Sequence, residues 1–305
     1  MKHYLEVKTI HKSYRDKPVL NGICLRIDRP GVYLIAGPNG SGKTTLLESL
    51  VGLRKTDSGT IAIDGITNPL HLKRKVGFLL QGNSLRKNLT VKEEMGLIKD
   101  LFHLKINDRE YLKSFHLEEY YQTKTQKLSG GTKRRVLLML IFMPDYPILI
   151  LDEPASGLDT QSRSVIWNTI KKFSKEKIII VSDHYLNQAA NYSDYIYFLN
   201  QGKIIYEGWQ KEILQNFDKT HVINMNAEDY EKAAPYLANI DGKHATIVMD
   251  GLSHVFVNVR EKESVRKIFD LLPNPNIIID YHTVDFEDIY FYLTGNKKIY
   301  EREDS

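Results

Sequence analysis

The stretch Gly31–Leu50, GVYLIAGPNGSGKTTLLESL, decides the fold. Six apolar or small residues are followed by a loop carrying three glycines and then by a run with leucine at helical spacing. An apolar run of that length, flanked by turn residues, reads as a fully buried strand of a parallel sheet. The loop fits G-x-x-x-x-G-K-[ST] through Gly37, Gly42, Lys43 and Thr44, in the strand, loop, helix context that the pattern requires. Glycines let backbone N–H groups wrap the α- and β-phosphates of a nucleotide, a lysine reaches the β- and γ-phosphates, and a threonine hydroxyl is a magnesium ligand. A glycine-rich turn without a ligand is the bland alternative, and the flanking strand and helix argue against it.

Working outward, ILILDEP (Ile148–Pro154) is a second buried strand, ending in two carboxylates. In a parallel sheet those acids arrive at the carboxyl edge, where the first strand also delivers its loop. There Asp152 is placed to hold Mg²⁺ and Glu153 to polarise a water for in-line attack on the γ-phosphate. Between the two lies LSGGTKRR (Leu128–Arg135), with a serine suited to capping a helix, two glycines and three cations in a row. These are the parts of an anion-binding helix start, and also of an ordinary local helix cap.

Composition bounds the alternatives. The 305 residues are 42% hydrophobic and 26% charged, an ordinary globular balance with room for about two domains. Cys24 is the only cysteine, so no disulfide framework or cysteine metal cluster is expected, in keeping with a reducing cytoplasm. No apolar run approaches the ~20 residues of a membrane span. The first residues, MKHYLEVKTIHKSY, alternate like a strand and lack a signal-peptide core. The net charge of +4 is uneven: from Lys219 onward there are 10 basic and 15 acidic residues, a net −5, leaving +9 to the first 218. An excess of that size reads as a solvated surface serving nucleotide phosphates, and no nucleic acid is expected as a partner.

Taken in order, Tyr14, GPNGSGKTT, Gln81, LSGG, ILILDEP, SGLD and His184 resemble the ATP-binding cassette ATPases of ABC transporters, over about residues 1 to 215. The resemblance implies an α/β fold, a P-loop NTPase cassette with a RecA-like core, an antiparallel β subdomain and a helical subdomain over about 88–142. ATP and Mg²⁺ are the implied ligands. Phosphates would be bound by Gly37, Pro38, Asn39, Gly40, Ser41, Gly42, Lys43, Thr44 and Thr45, with Tyr14 stacking on adenine. Thr44, Gln81 and Asp152 would serve the metal, and Glu153, His184 and Gln81 the chemistry, His184 as a γ-phosphate-sensing switch. Asp159 would also bind the nucleotide, and Ser129, Gly130 and Gly131 would serve the nucleotide of a second cassette in a head-to-tail dimer, homodimeric or with a paralogue.

Two departures stand out. Thr132 follows LSGG where many relatives carry glutamine, and the downstream KRRV looks like the branch pairing with separate permeases of the ABC-2 exporter type. Asp183 precedes the switch histidine where a small hydroxyl residue is common. The resemblance implies a subunit at the cytoplasmic face of the membrane, held there by its transmembrane permease. The competing class is a soluble cassette ATPase acting on DNA or ribosomes, whose members usually carry two cassettes or a long coiled-coil insertion, and neither pattern is present.

The helical pattern of LTVKEEMGLIKDLFHL, with Leu89, Val91, Met95, Ile98, Leu101 and Phe102, and of NDREYLKSFHL fits the helical subdomain. With GFLLQGNSL it is implied to form the groove that receives a helix of the membrane subunit. YIYFLNQGKIIYEG reads as a hairpin turning at Asn200, Gln201 and Gly202, and closes a domain of residues 1–217. In 218–305, HVINMN, AEDYEKAAPYLA, HATIVMD, HVFVNVR, EKESVRKIFDLL and NIIIDYH read strand, helix, strand, strand, helix, strand. That order is the split β-α-β of a small α+β ferredoxin-like accessory domain, to which no chemistry is assigned. A final helix, DFEDIYFYLTG, resembles the tail of ABC-2 type ATPases.

Overall fold

The computed structural model describes residues 4–80, 82–237, 243–259, 274–295 and 297–301. Two compact units are present, residues 1–210 and 211–305.

The first unit is built on a six-stranded sheet. Its strands are β3 (Gly31–Ala36), β5 (Val76–Leu79), β6 (Ile148–Asp152), β7 (Ile178–Ser182), β8 (Tyr195–Asn200) and β9 (Lys203–Trp209), in the order β5-β6-β7-β3-β8-β9. All neighbours are parallel except β8 and β9, which form the expected hairpin. Gln201 (φ +46) and Gly202 (φ +73) make its two-residue turn, and both left-handed values match the twist of a tight hairpin. Every residue of β3, β6 and β7 is buried, which is why these strands are continuous apolar runs rather than alternating ones. Because β3, β6 and β7 are parallel neighbours in near-even register, with Leu34 opposite Val181 and Asp152 opposite Ser182, their carboxyl ends share one edge. That edge is where loops carrying chemistry collect in such sheets.

A second, antiparallel sheet holds β1 (Leu5–Tyr14), β2 (Lys17–Ile27) and β4 (Ser58–Ile63) in the order β2-β1-β4. It shares one apolar core with the six-stranded sheet and with helix α1 (Lys43–Leu50), whose Leu46, Leu47 and Leu50 are fully buried. Helix α2 (Pro69–Lys75) precedes β5.

Between β5 and β6 the chain is helical, as the spacing suggests. Helix α3 (Val91–Phe102) starts in a capping box between Thr90 and Glu93. It buries Val91, Glu94 and Met95, while Leu101 and Phe102 of the same apolar series stay exposed. The Glu94 carboxylate is held by the Arg86 amide and guanidinium. Helix α4 (Asp108–Lys113) is capped by Asn107, and α5 (Gly130–Phe142) by Ser129. Phe142 of α5 packs with Phe115 and with Phe173 of α6 (Thr160–Phe173), ring centroids 6.3 and 4.4 Å away. Helix α7 (Leu186–Tyr192) follows β7, and α8 (Gln210–Asn216) begins at the junction between the units.

The second unit has its own sheet: β10 (His221–Asn226), β11 (Lys243–Met249), β12 (Leu252–Val257), β13 (Ile278–Thr283) and β14 (Lys297–Glu301), ordered β13-β10-β12-β11-β14 with antiparallel neighbours throughout. Numbering the first four by chain order gives 4-1-3-2, the order a split β-α-β unit generates. Strand β14 is an addition that the sequence reading does not include. Helix α9 (Ala227–Leu237) packs Tyr230, Ala233, Ala234 and Leu237 against Ile223, Met225, Val255 and Val257. Strand alternation puts Val222, Ala245, Ile247 and Phe256 on the opposite face, where Phe291 and Tyr292 of helix α10 (Phe286–Thr294) cover them. The helix expected over EKESVRKIFDLL lies outside the described residues.

Candidate functional site

The loop after β3 is shaped by close approaches that exclude side chains. A Cβ at Gly37 would lie 2.2 Å from the Leu199 carbonyl oxygen and 2.7 Å from Ser41 Oγ; one at Gly42, at φ +108, would lie 2.7 Å from the Val19 carbonyl oxygen. Gly37→Ala is therefore expected to destabilise the fold by about 1–3 kcal/mol, the usual range for overpacking, read as a lowered denaturation midpoint. A parent-like midpoint would contradict this packing.

Lys43 is buried, and its Nζ donates to the carbonyl oxygens of Gly37 (2.7 Å) and Pro38 (3.0 Å). Burial pulls its amine below the ordinary lysine value, against the opposing charges of Glu153, Asp152 and Asp183. The Ser41 hydroxyl oxygen is buried with no hydrogen-bond partner among the described residues. A bent-back cation, an orphaned hydroxyl and a glycine cradle together fit an anion carrying several oxygens.

The acids stand against this loop. Thr44 Oγ1 donates to Asp152 Oδ2 at 3.0 Å, and Ser182 Oγ donates to Asp152 Oδ1 at 2.5 Å. The Glu153 amide donates to both the hydroxyl and the carbonyl of Ser182, each at 3.1 Å. Glu153 Oε1 lies 2.6 Å from His184 Nε2; the carboxylate side chain is 7% exposed and the imidazole 36%. The structure thus brings Lys43, Thr44, Asp152, Glu153 and His184 to one sheet edge. The hydroxyl and carboxylate oxygens of Thr44 and Asp152 are hard donors of the kind magnesium takes. Asp183 is buried too, with Oδ1 accepting from the Tyr185 amide at 2.9 Å and Oδ2 without a partner among the described residues; burial raises its carboxyl above the usual range. Gln81 lies outside the described residues.

The other candidates are distributed around this centre. Tyr14 ends β1 and is 40% exposed, with Lys12 Nζ at 5.7 Å and the Arg54 guanidinium at 5.5 Å from its ring centroid. Ser129 caps its own helix, its Oγ accepting from the Thr132 amide at 3.2 Å. A Cβ at Gly130 would meet nothing within 4 Å, whereas one at Gly131 would lie 2.7 Å from Ser162 Oγ. Asp159 caps α6 by accepting from the Ser162 amide at 2.9 Å, a bond that lowers its carboxyl below the ordinary value. A groove of about 650 Å³ runs between the segment after β5 and α5, lined by Asn83, Ser84, Leu85, Gln126, Leu137 and Leu158 among others.

Sequence reasoning missed two residues of the centre. Ser182 grips Asp152 and the Glu153 amide; a hydroxyl ending the strand beside ILILDEP was the available signal. Arg134 donates to the carbonyl oxygens of Asp152 (3.2 Å), Glu153 (2.9 Å) and Pro154 (2.7 Å).

With that geometry in view, residues 20–156 match the sequence family described as ABC transporter. The Nod factor export ATP-binding protein I of Burkholderia orbicola (strain AU 1054) is 28% identical over 302 residues, covering 96% of this chain and 97% of that protein. A crystal structure of the ADP conformation of an ATP-binding cassette of an ABC transporter superposes with a TM-score of 0.63 at 26% identity, over 71% of this chain and 96% of that one. A dimeric post-hydrolysis cassette bound to ADP and Pi does so with a TM-score of 0.60 at 26% identity, over 68% and 98%. By motif order, site geometry and these likenesses, residues 20–156 carry an ATP-binding cassette of the ABC transporter family.

Proposed function

We propose that this ATPase drives export through a separate membrane permease, that its two nucleotide sites are each shared between two cassettes, and that Glu153 is the general base of hydrolysis. The observation that carries the reading is the convergence of Lys43, Thr44, Asp152, Glu153 and His184 on one edge of the parallel sheet. Export rests on the relative above, an export ATP-binding protein matched over nearly the whole of both chains. A separate permease is in keeping with the absence, among the described residues, of any helix long and apolar enough to cross a membrane. Attachment at the cytoplasmic face and docking of the permease in the groove between Asn83 and Leu137 follow from that reading. Residues 1–217 would form the ATP-binding domain and 218–305 an accessory one. The competing role on DNA or ribosomes is not favoured by that likeness.

The chain's own groups divide the work. The loop amides from Asn39 to Thr45 and the Lys43 ammonium bind the triphosphate, the cation leaving its two carbonyls to do so. Thr44 and Asp152 would hold Mg²⁺, which when bound neutralises charge on the β- and γ-phosphates. Glu153 orients a water and takes its proton as the oxygen attacks the γ-phosphorus and the bond to the ADP oxygen breaks. His184, in contact with Glu153 Oε1, fixes the carboxylate and reports on the γ-phosphate. Tyr14 offers its ring to the base, Asp159 also serves the nucleotide, and Ser129, Gly130 and Gly131 face the nucleotide of the other cassette.

Removing the loop cation tests the nucleotide's location. Lys43→Ala is expected to weaken ATP binding about tenfold or more, the size of one or two charge-assisted hydrogen bonds, as measured by calorimetric titration with ATP and Mg²⁺. Unchanged affinity would place the nucleotide elsewhere.

A further inference from the structure

Arg134 is a partly buried cation to which neither the nucleotide nor the water gives a task. Of the three consecutive cations of LSGGTKRR, Arg135 turns away to the His116 carbonyl at 3.2 Å, while Arg134 reaches the loop after β6. Its Nε and Nη2 together take the carbonyl oxygens of Asp152, Glu153 and Pro154. Along a regular strand successive carbonyls point to opposite sides, so three in a row converge only where the strand has been broken. The break is at Glu153, whose φ of +48 lies in the left-handed region. A non-glycine residue stays there only when its surroundings over-determine it. A planar guanidinium, with several donors in one rigid fork, supplies that constraint in a way a single ammonium does not. Burial lowers the proton affinity of Arg134 and the charges of Asp152 and Glu153 support it, so the group is held by the loop it holds.

The same residue sits five positions after Ser129 on α5, about 7.5 Å along the helix axis. The start of α5 is seated against the start of α6, since Gly131 leaves no room for a Cβ beside Ser162. A shift at that start is therefore carried along a rigid helix to the guanidinium.

We propose that Arg134 is a positioning residue: it fixes the backbone of Glu153 in its own site and ties it to the helix whose start faces the other cassette's nucleotide. The occupancy of one site then sets the geometry of the base in the other. This rests on the reading of Glu153 and of LSGG given above.

The test uses the full chain, with the permease present where dimerisation needs it. Arg134→Met is expected to lower kcat about tenfold or more, as ångström-scale misplacement of a catalytic group does. The KM and Kd for ATP should stay within about twofold, because Arg134 touches only the backbone oxygen of Asp152, whose carboxylate is held separately by Thr44 and Ser182, and none of the groups read as holding phosphate. Cooperativity in ATP should fall toward a Hill coefficient of unity. Arg134→Lys, which restores charge but not the fork, should fall between parent and Met, and carries the test if the Met variant does not fold. In a Glu153→Gln background Arg134→Met should cost nothing further, since it acts through that carboxylate. Unchanged kcat in either folded variant, a parallel loss of kcat, ATP affinity and melting temperature, or an additive loss in the double variant would overturn the proposal. A parent-like rate in Glu153→Gln sinks the Glu153 reading itself; a dead Glu153→Gln beside a normal Arg134→Met sinks only this inference.

Discussion

Glu153→Gln is expected to bind ATP like the parent and to hydrolyse it about a hundredfold more slowly or worse, the range for loss of a general base. The substitution keeps the volume of a side chain that is 7% exposed and keeps an oxygen beside His184 Nε2, so the left-handed turn and the Arg134 contacts have no reason to change. What disappears is the ability to take a proton. Binding survives because the groups read as holding phosphate, Lys43 and the loop amides, are untouched, and the ATP-bound dimer should accumulate as its exit route closes. Single-turnover hydrolysis beside a nucleotide-binding titration checks both halves. A near-parent rate would mean that another group accepts the proton, and Asp183, buried and with one oxygen unpartnered among the described residues, would be the first to examine.

Mixing two dead variants is expected to restore activity. Gly130→Asp has open space for its Cβ, so the chain carrying it should fold and bind ATP through an intact loop. It should nevertheless lose ATP-driven dimerisation, because a carboxylate then faces the phosphates of the opposite cassette. Lys43→Ala fails for the complementary reason. In a mixed dimer one shared site collects both defects and the other has neither, so ATPase activity should reappear where each variant alone shows almost none. Ser129 does cap its own helix, so a purely local role for LSGG is a concrete competitor. Under that role Gly130→Asp would damage each chain by itself, and dimers shown to be mixed would stay inactive.

The extent to which the sequence announced this site follows from how local each signal is. Lys43 and Thr44 sit in one short loop between a strand and a helix, and Asp152 and Glu153 end one buried strand, so period and flanking residues sufficed. Arg134 was illegible because its meaning is a contact with residues 18 to 20 positions away. Which of Lys133, Arg134 and Arg135 turns inward depends on the rotation of α5 about its axis, which no local pattern fixes. Leu101 and Phe102 show the converse: their spacing matched the buried face of α3, yet the helix ends there and leaves them exposed. The order of strands in the second unit was implied by the strand and helix succession, whereas β14 was not, since KKIYE alternates too briefly to stand out.

The Lys43 amine, already satisfied by Gly37 and Pro38 of its own loop, makes nucleotide entry an exchange reaction rather than an addition. A ligand must offer oxygens good enough to draw the ammonium away from two carbonyls, and the affinity seen in solution is the difference between two sets of bonds. A nucleoside monophosphate, with nothing in the β and γ positions, leaves the old set in place and gains little from this cation. Under the proposed reading, the loop thus sorts nucleotides by chain length before any chemistry begins. It does so with backbone oxygens that no substitution can remove.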